Sequence, residues 1–239
     1  YAQLGFRDGL VDAMDKALEE NASAKRQELL ALMIGLTRAD KGVPSLLEAL
    51  YPSNARTRYD DDVRAAAAIG LVYFEGREAQ SALARVAVDE KDQELRAVAM
   101  TGLVKLAGLP GEEDPQVVLA LRKGLDAQHP GVRVQAACGL GVRGLRDMQI
   151  MNEVEVDRVS WILGEALTRK GLTELGIGER FQPGALRNAS RAAAVLGDEE
   201  LKAKVDRLTK SDHERDEDVR RVAREQMKRW GSPKASKED

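Results

Sequence analysis

A nine-residue hydrophobic pattern occurs three times along the chain. Each copy begins with an aliphatic residue followed by Arg, continues through mostly small or apolar residues, and ends on Gly-Leu. The copies begin at Val63, Leu95 and Val132, a period of roughly 30 to 40 residues that is typical of stacked two-helix units. Because apolar residues within each copy fall three and four positions apart, each copy predicts a helix with one buried face.

Alignment on the small residue before the recurring Leu extends this pattern to six helix pairs. The predicted repeat array covers residues 1–231, with units near 6–38, 42–76, 77–108, 114–145, 154–197 and 198–231. The fifth unit carries an insertion over 145–184, and residues 232–239 are expected to form a disordered, charged tail. The predicted fold class is all-α, a right-handed α-solenoid of about six helix pairs.

The pattern also gives approximate helix boundaries. The predicted pairs are 6–20 with 24–38, 43–50 with 62–74, 77–88 with 94–107, 115–127 with 131–144, 156–170 with 185–196, and 199–210 with 217–230. Pro115 and Pro130 stand at or near the start of their helices, where proline is well tolerated.

The recurring phrase resembles the second helix of HEAT repeats, particularly the short bacterial type. In each copy a Val-Arg or Leu-Arg pair follows an acidic or Pro-bearing turn, such as 60–62, 92–94 or 129–131. The resemblance covers nearly the whole chain and is strongest for units two to four. Unit one has Glu28-Leu29 in place of the pair, and unit five has Asn188-Ala189. The resemblance implies a scaffold that holds a partner protein or peptide on a curved surface.

Composition and charge narrow the classes of partner. Hydrophobic residues make up 43% of the chain and aromatic residues only 4%, which suits closely stacked helices rather than sheets. A formal net charge of −3 disfavours general binding to nucleic acid. No apolar run reaches membrane-spanning length.

The compartment is left open by the sequence. The single cysteine is compatible with a reducing compartment, so the cytoplasm is slightly favoured. The chain begins at Tyr1 without an initiator Met, so we expect a processed or trimmed product, and removal of an export signal is compatible with this.

The second helices supply the candidate partner-binding residues. If Gly70 and Leu71 face the core, the opposite face is nearly uncharged in three consecutive units. The predicted binding stripe consists of Ile69, Val72, Met100, Val104, Val134 and Cys138. Burial of the stripe inside the molecule is the alternative.

Two further segments are candidates for recognition. The 145–184 insertion is expected to border or partly fill the stripe, with Arg180 and Phe181 as its contact residues, or else to act as a longer linker packed on the adjacent unit. The loop Tyr51–Tyr59 mixes aromatic and cationic side chains, a combination found at recognition surfaces.

An arginine recurs near the start of several second helices. These residues are Arg64, Arg96, Arg133 and Arg220. They are predicted to form a structural ladder that bonds turn acids and carbonyls. The alternative, a basic ladder for an anionic ligand, receives no support from the net charge.

No catalytic or metal-binding set is recognisable. Cys138 has no histidine at a readable partner spacing, and His129 and His213 both lie in turns. Deoxyhypusine hydroxylases have several His-Glu dipeptides on a similar frame, whereas this chain has only His213-Glu214. No cofactor is therefore expected.

Three functions follow in order of support. The first is a non-enzymatic protein-binding scaffold or adaptor that uses the inner face of stacked helices. The second is a bilin lyase-type enzyme or another small-molecule binder on a HEAT-like frame. The third is a nucleic-acid-binding helical repeat protein. The partner's identity and the oligomeric state are not readable from the sequence.

Overall fold

The computed structural model describes residues 8–9, 11–16, 23–52, 60–107, 115–143 and 151–230. Regular structure in these ranges is entirely helical, as the sequence predicts, and they contain no strand. Two compact units divide the chain, Tyr1–Lys123 and Gly124–Asp239.

The first unit contains helices α1 to α6 and most of α7. Helix α1 is described over residues 8–9 and 11–16. The others are α2 (Ala24–Thr37), α3 (Val43–Leu50), α4 (Asp61–Leu71), α5 (Arg77–Asp89), α6 (Gln93–Ala107) and α7 (Pro115–Leu125), with a 3-10 turn at Asp40–Gly42.

The described residues of the second unit form six helices. They are α8 (Pro130–Arg143), α9 (Glu153–Ala166), α10 (Arg169–Glu174), α11 (Gln182–Leu196), α12 (Glu199–Leu208) and α13 (Glu217–Arg229), with a 3-10 turn at Glu179–Phe181.

Glycines allow the second helices of the first unit to pack closely. Helix α4 packs against α2 on one side and α6 on the other, while α3 and α5 pack behind this layer. A Cβ on Gly35 would overlap the Cα of Gly70, and a Cβ on Gly102 would lie 2.5 Å from Cγ2 of Val72. The small residue before the recurring Leu therefore marks the contact between neighbouring second helices.

The second unit repeats this layering with α8, α11 and α13. Helix α11 packs against α8 and α13, and α9 and α12 contact it from the other layer. Asn152 forms a capping box with Glu155 at the start of α9, and the side chains of Asp198 and Asp216 accept backbone hydrogen bonds at the starts of α12 and α13.

The predicted boundaries need correction in the fifth unit. The helix predicted over 156–170 begins at Glu153, because Asn152 caps it there, and ends at Ala166. Thr168 then caps the separate helix α10 by accepting a hydrogen bond from the backbone N–H of Gly171. Helix α11 begins at Gln182, three residues before the predicted start. The described part of the 145–184 insertion thus contains α9, α10 and the beginning of α11.

Several sequence predictions remain predictions. The number of units, the superhelix and its handedness belong to this group. The tail over 232–239, most of the loop 51–59 and the first part of the 145–184 insertion lie outside the described residues.

Candidate binding surface

The four ladder arginines hold the ends of first helices and the turns that follow them. Their guanidinium groups donate to backbone carbonyl oxygens, Arg64 to Leu50 (3.4 Å), Arg96 to Ala87 (3.1 Å), Arg133 to Ala127 (2.9 Å) and Gln128 (2.6 Å), and Arg220 to Glu214 (2.6 Å). Carbonyls at a helix C-terminus lack intrahelical partners and carry the negative end of the helix dipole. A guanidinium group placed there supplies hydrogen-bond donors to these carbonyls and a positive charge opposite the helix dipole. These side chains are therefore engaged in structural contacts.

Glu90 extends this arrangement from one helix pair to the next. Its carboxylate forms an ion pair with Arg64 and accepts hydrogen bonds from the backbone N–H groups of Lys91 (2.8 Å) and Asp92 (3.3 Å). Burial opposes ionisation of Glu90, but the hydrogen bonds from Arg64 and the backbone outweigh it and hold the pKa below its usual value.

The predicted binding stripe does not lie on one exposed surface. Ile69 is exposed and Val72 is half-buried. The other four stripe residues are buried, namely Met100, Val104, Val134 and Cys138. The expectation of an exposed stripe is therefore wrong for these four. Met100 and Val104 lie on α6, which packs against α4 and α5, and Val134 and Cys138 lie on α8, which packs against α9 and α11.

Cys138 is a core residue of the second unit. It is completely buried on α8, which packs against α9 and α11. Burial raises the pKa of the thiol to about 12. A nucleophilic cysteine needs a substantial thiolate fraction near neutral pH, so Cys138 serves packing rather than chemistry.

Arg180 and Phe181 are both exposed in the 3-10 turn before α11. The guanidinium carbon of Arg180 lies 4.4 Å from the centroid of the Phe181 ring. The buried amide of Gln182 donates to the carbonyl oxygen of Ile177 and to Oγ1 of Thr173, both at 3.1 Å. The described part of the insertion thus folds on itself and exposes this pair.

A buried carboxylate anchors the same segment. Glu214 precedes α13 and its side chain is fully buried. Arg169 on α10 donates to both of its carboxylate oxygens, at 3.0 and 2.7 Å, and the backbone N–H of Asp216 donates to it at 2.7 Å. The bidentate geometry compensates for part of the desolvation of the buried charge.

Among the described residues of the first unit, the largest group of exposed apolar side chains lies on α2 and α4. Leu29, Met33 and Leu36 are 50%, 46% and 60% exposed, and Ile69 is 38% exposed. The three α2 residues are spaced four and three apart and so share one helix face. Leu36 and Ile69 each adjoin the glycine at which α2 and α4 touch. We call these four residues the apolar surface.

Two cations flank one aromatic ring beside the apolar surface. The guanidinium carbon of Arg38 lies 5.9 Å from the centroid of the Tyr73 ring, and Nζ of Lys105 lies 4.2 Å from it. Nζ of Lys105 also donates to the carbonyl oxygen of Val72 at 3.4 Å. Burial, followed by the charge of Arg38, lowers the pKa of Lys105. The ends of α2 and α4 and the last turn of α6 thus form a cationic edge.

The backbone at Arg38 fixes one side of this edge. Arg38 follows α2 with φ of 52°, in the left-handed region where glycine is usual. For a residue with a Cβ this conformation costs about 1–2 kcal/mol. The same residue ends the helix and provides the cation beside Tyr73.

The exposed face of α2 was not predicted from the sequence. The sequence of α2 does indicate this face, because residues 29–34 are an uninterrupted apolar run and Leu36 follows Gly35. A helix that is apolar on all sides normally has each side covered. The recurring phrase begins with an aliphatic residue followed by Arg, and α2 lacks that pair.

The described ranges hold no group of three or more side chains suited to binding a metal ion. None of the helices in those ranges has the length and apolar character needed to cross a membrane.

Comparison with known proteins gives distant structural likenesses. No family model matches the sequence, and no curated protein matches it. The structure of human deoxyhypusine hydroxylase in complex with glycerol is 15% identical, with 95% of this chain and 88% of that chain covered and a TM-score of 0.38. An engineered protein is 18% identical, with 92% of this chain and 95% of that chain covered and a TM-score of 0.47.

Proposed function

We propose that the chain is a non-enzymatic protein-binding scaffold or adaptor, and that its partner docks on the apolar surface of the first unit. The observation that carries the proposal is the exposure of Leu29, Met33, Leu36 and Ile69 beside the contact of α2 with α4. Clustered apolar side chains on the surface of a protein mark interaction sites more often than single ones do.

The size of the apolar surface bounds the affinity that it supports. Complete burial of a large aliphatic side chain contributes about 1.5–3 kcal/mol, and these side chains are roughly half exposed, so each has about 1 kcal/mol left to contribute. Four such contributions correspond to a dissociation constant of about 1 mM before the cost of association is counted. A stable complex therefore needs further contacts, and the cationic edge at Tyr73 is the adjacent source.

This edge favours an acidic group on the partner. Arg38 and Lys105 make no ion pair within the described part of the chain, and both flank Tyr73. We expect the partner to present apolar side chains to α2 and a carboxylate to this edge.

The proposal is tested with the double variant Met33→Glu, Leu36→Glu. Both side chains are exposed, so the fold should be retained, and the thermal midpoint checks this. Capture of a partner from the source cell should fall strongly, because two desolvated carboxylates oppose docking.

A matched control is Val154→Glu, Trp161→Glu on α9. These residues are also exposed, Trp161 by 62%, but they lie in the second unit. The proposal requires that this control retain the partner. Equal loss of capture from both variants, or from neither, would contradict it.

A further inference from the structure

Two neighbouring arginines on one helix of the second unit make no ion pair with a carboxylate of the described residues. Arg187 and Arg191 stand one turn apart on α11, which packs against α8 and α13. Among the described residues Arg187 makes no hydrogen bond or ion pair, and Arg191 donates only to the neutral amide oxygen of Asn188, at 3.3 Å. Each of the four ladder arginines, by contrast, is engaged with carbonyls.

An amide network links this arginine pair to α8. Nδ2 of Asn188 donates to Oε1 of Gln135 at 2.9 Å, while Oδ1 of Asn188 accepts from Arg191. The amide nitrogen of Gln135 donates to no described residue. The amide nitrogen of Gln135 and the two guanidinium groups can therefore offer N–H donors to a ligand at this point, and such donors suit an acceptor.

Helix α13 adds a third guanidinium and its counter-charges. Arg221 is paired with Glu225 at 2.9 Å and with Asp218 at 3.4 Å. Burial, and then the charges of Arg187 and Arg221, lower the pKa of Arg191, and Glu225 opposes this effect. The carboxylates of α13 are taken up mainly by their own helix, so the pair on α11 keeps an excess of positive charge.

The spacing of the pair distinguishes between anionic ligands. Four residues of α-helix rise about 6 Å, and alternate side chains of an extended chain are about 7 Å apart. An extended peptide lying along α11 can thus present one carboxylate to each guanidinium, and each pairing can be bidentate. A single phosphate group offers no such repeat.

We propose that Arg187 and Arg191, with the amide of Gln135, bind the carboxylates of an extended acidic peptide that has Glu or Asp at alternate positions. The site lies wholly within the second unit and does not depend on the apolar surface of the first. Failure of either proposal leaves the other standing.

The test uses the full chain and fluorescent ten-residue peptides at low salt. One peptide alternates Glu with Ser, and a second contains the same residues with the five Glu at positions 1, 2, 5, 6 and 9, so that no two Glu stand two positions apart. Anisotropy should show tighter binding of the alternating peptide, and the binding should weaken as salt is added. Equal binding of both peptides would show unspecific attraction and overturn the proposal.

Variants locate the site. Arg187→Gln with Arg191→Gln should weaken binding of the alternating peptide by about tenfold or more, since two charge-assisted contacts are lost. Arg207→Gln with Arg215→Gln removes the same charge from exposed positions elsewhere in the second unit and should change binding less than about twofold. Equal weakening by the two pairs would overturn the assignment.

Two further measurements keep the test decisive. If the Gln pair lowers the thermal midpoint, Arg187→Lys with Arg191→Lys replaces it, and the loss of the planar fork should still weaken binding. Inorganic phosphate should displace the peptide only at concentrations where chloride does so as well. Displacement by phosphate at much lower concentration would indicate a phosphate site and contradict the peptide assignment.

Discussion

Gly35 on α2 and Gly70 on α4 meet with no side chain between them. A Cβ on Gly35 would overlap the Cα of Gly70, and a Cβ on Gly70 would lie 3.0 Å from the carbonyl oxygen of Ala31. Because backbone atoms cannot turn aside as a flexible side chain can, this contact requires glycine at position 35. The sequence neighbours Leu36 and Ile69 are exposed on either side of it.

Substitution of Gly35 by Ala should destabilise the first unit. Overpacking of a tight contact costs about 1–3 kcal/mol, and urea unfolding should show a loss in this range. Gly184→Ala is the control, because nothing lies within 4 Å of a Cβ at that helical position. It should be neutral or stabilising by about 0.5–1 kcal/mol. Equal losses in both variants would mean that α2 and α4 do not meet as described.

The buried carboxylate of Glu214 should make Arg169 important for stability. Arg169→Met leaves that charge buried and unpaired, at a cost of about 3–5 kcal/mol in fully buried pairs. We expect a value toward the lower end, because the Arg169 side chain is 26% exposed. Arg169→Met with Glu214→Leu should recover part of the loss. A single variant as stable as the parent in urea would show that the pair is not formed.

Glu90 should contribute to acid sensitivity. Its pKa in the folded state lies below the ordinary value of 4.5, so the ionised carboxylate stabilises the fold above that value. This stabilisation is lost as the pH falls through the lowered folded-state pKa. The free energy of unfolding, measured from pH 6 to pH 3, should therefore fall less steeply for Glu90→Gln than for the parent. Parallel curves would contradict the Arg64 interaction.

Cys138 should not react with thiol reagents in the native protein. Its pKa of about 12 and its complete burial exclude both the thiolate and the reagent at pH 8. Labelling with a maleimide should become fast only in denaturant. Rapid labelling of the folded protein would mean that Cys138 is exposed, as the binding stripe predicted from the sequence requires.

The repeated phrase was sufficient to predict most helices. Its small residue before Leu also predicted the close contacts at Gly70 and Gly102, because only a small side chain suits a position between neighbouring helices. Helix boundaries were less predictable where a local cap decides them. Asn152 and Thr168 start helices inside a segment whose glycines suggested an irregular structure.

Exposure was harder to predict than helicity. The position before the glycine remains exposed at Ile69 and Thr101, while the residue one position earlier is buried at Ala68 and Met100. One step along a helix rotates a side chain by about 100°, so a narrow solvent face cannot be assigned from an apolar pattern alone. Arg187 and Arg191 were not predicted for a different reason, since unit five lacks the aliphatic-Arg phrase that marks the other second helices.

Site-specific photo-crosslinking tests directly whether a partner docks on the apolar surface. A photoreactive phenylalanine analogue placed at position 36 in the source cell lies on the apolar surface, and the same analogue at position 161 lies on an equally exposed site of the second unit. If the partner docks on the apolar surface, position 36 should give one defined adduct that Met33→Glu abolishes, and position 161 should give no such adduct. Absence of an adduct at position 36, or an adduct that survives Met33→Glu, would contradict partner binding at this surface.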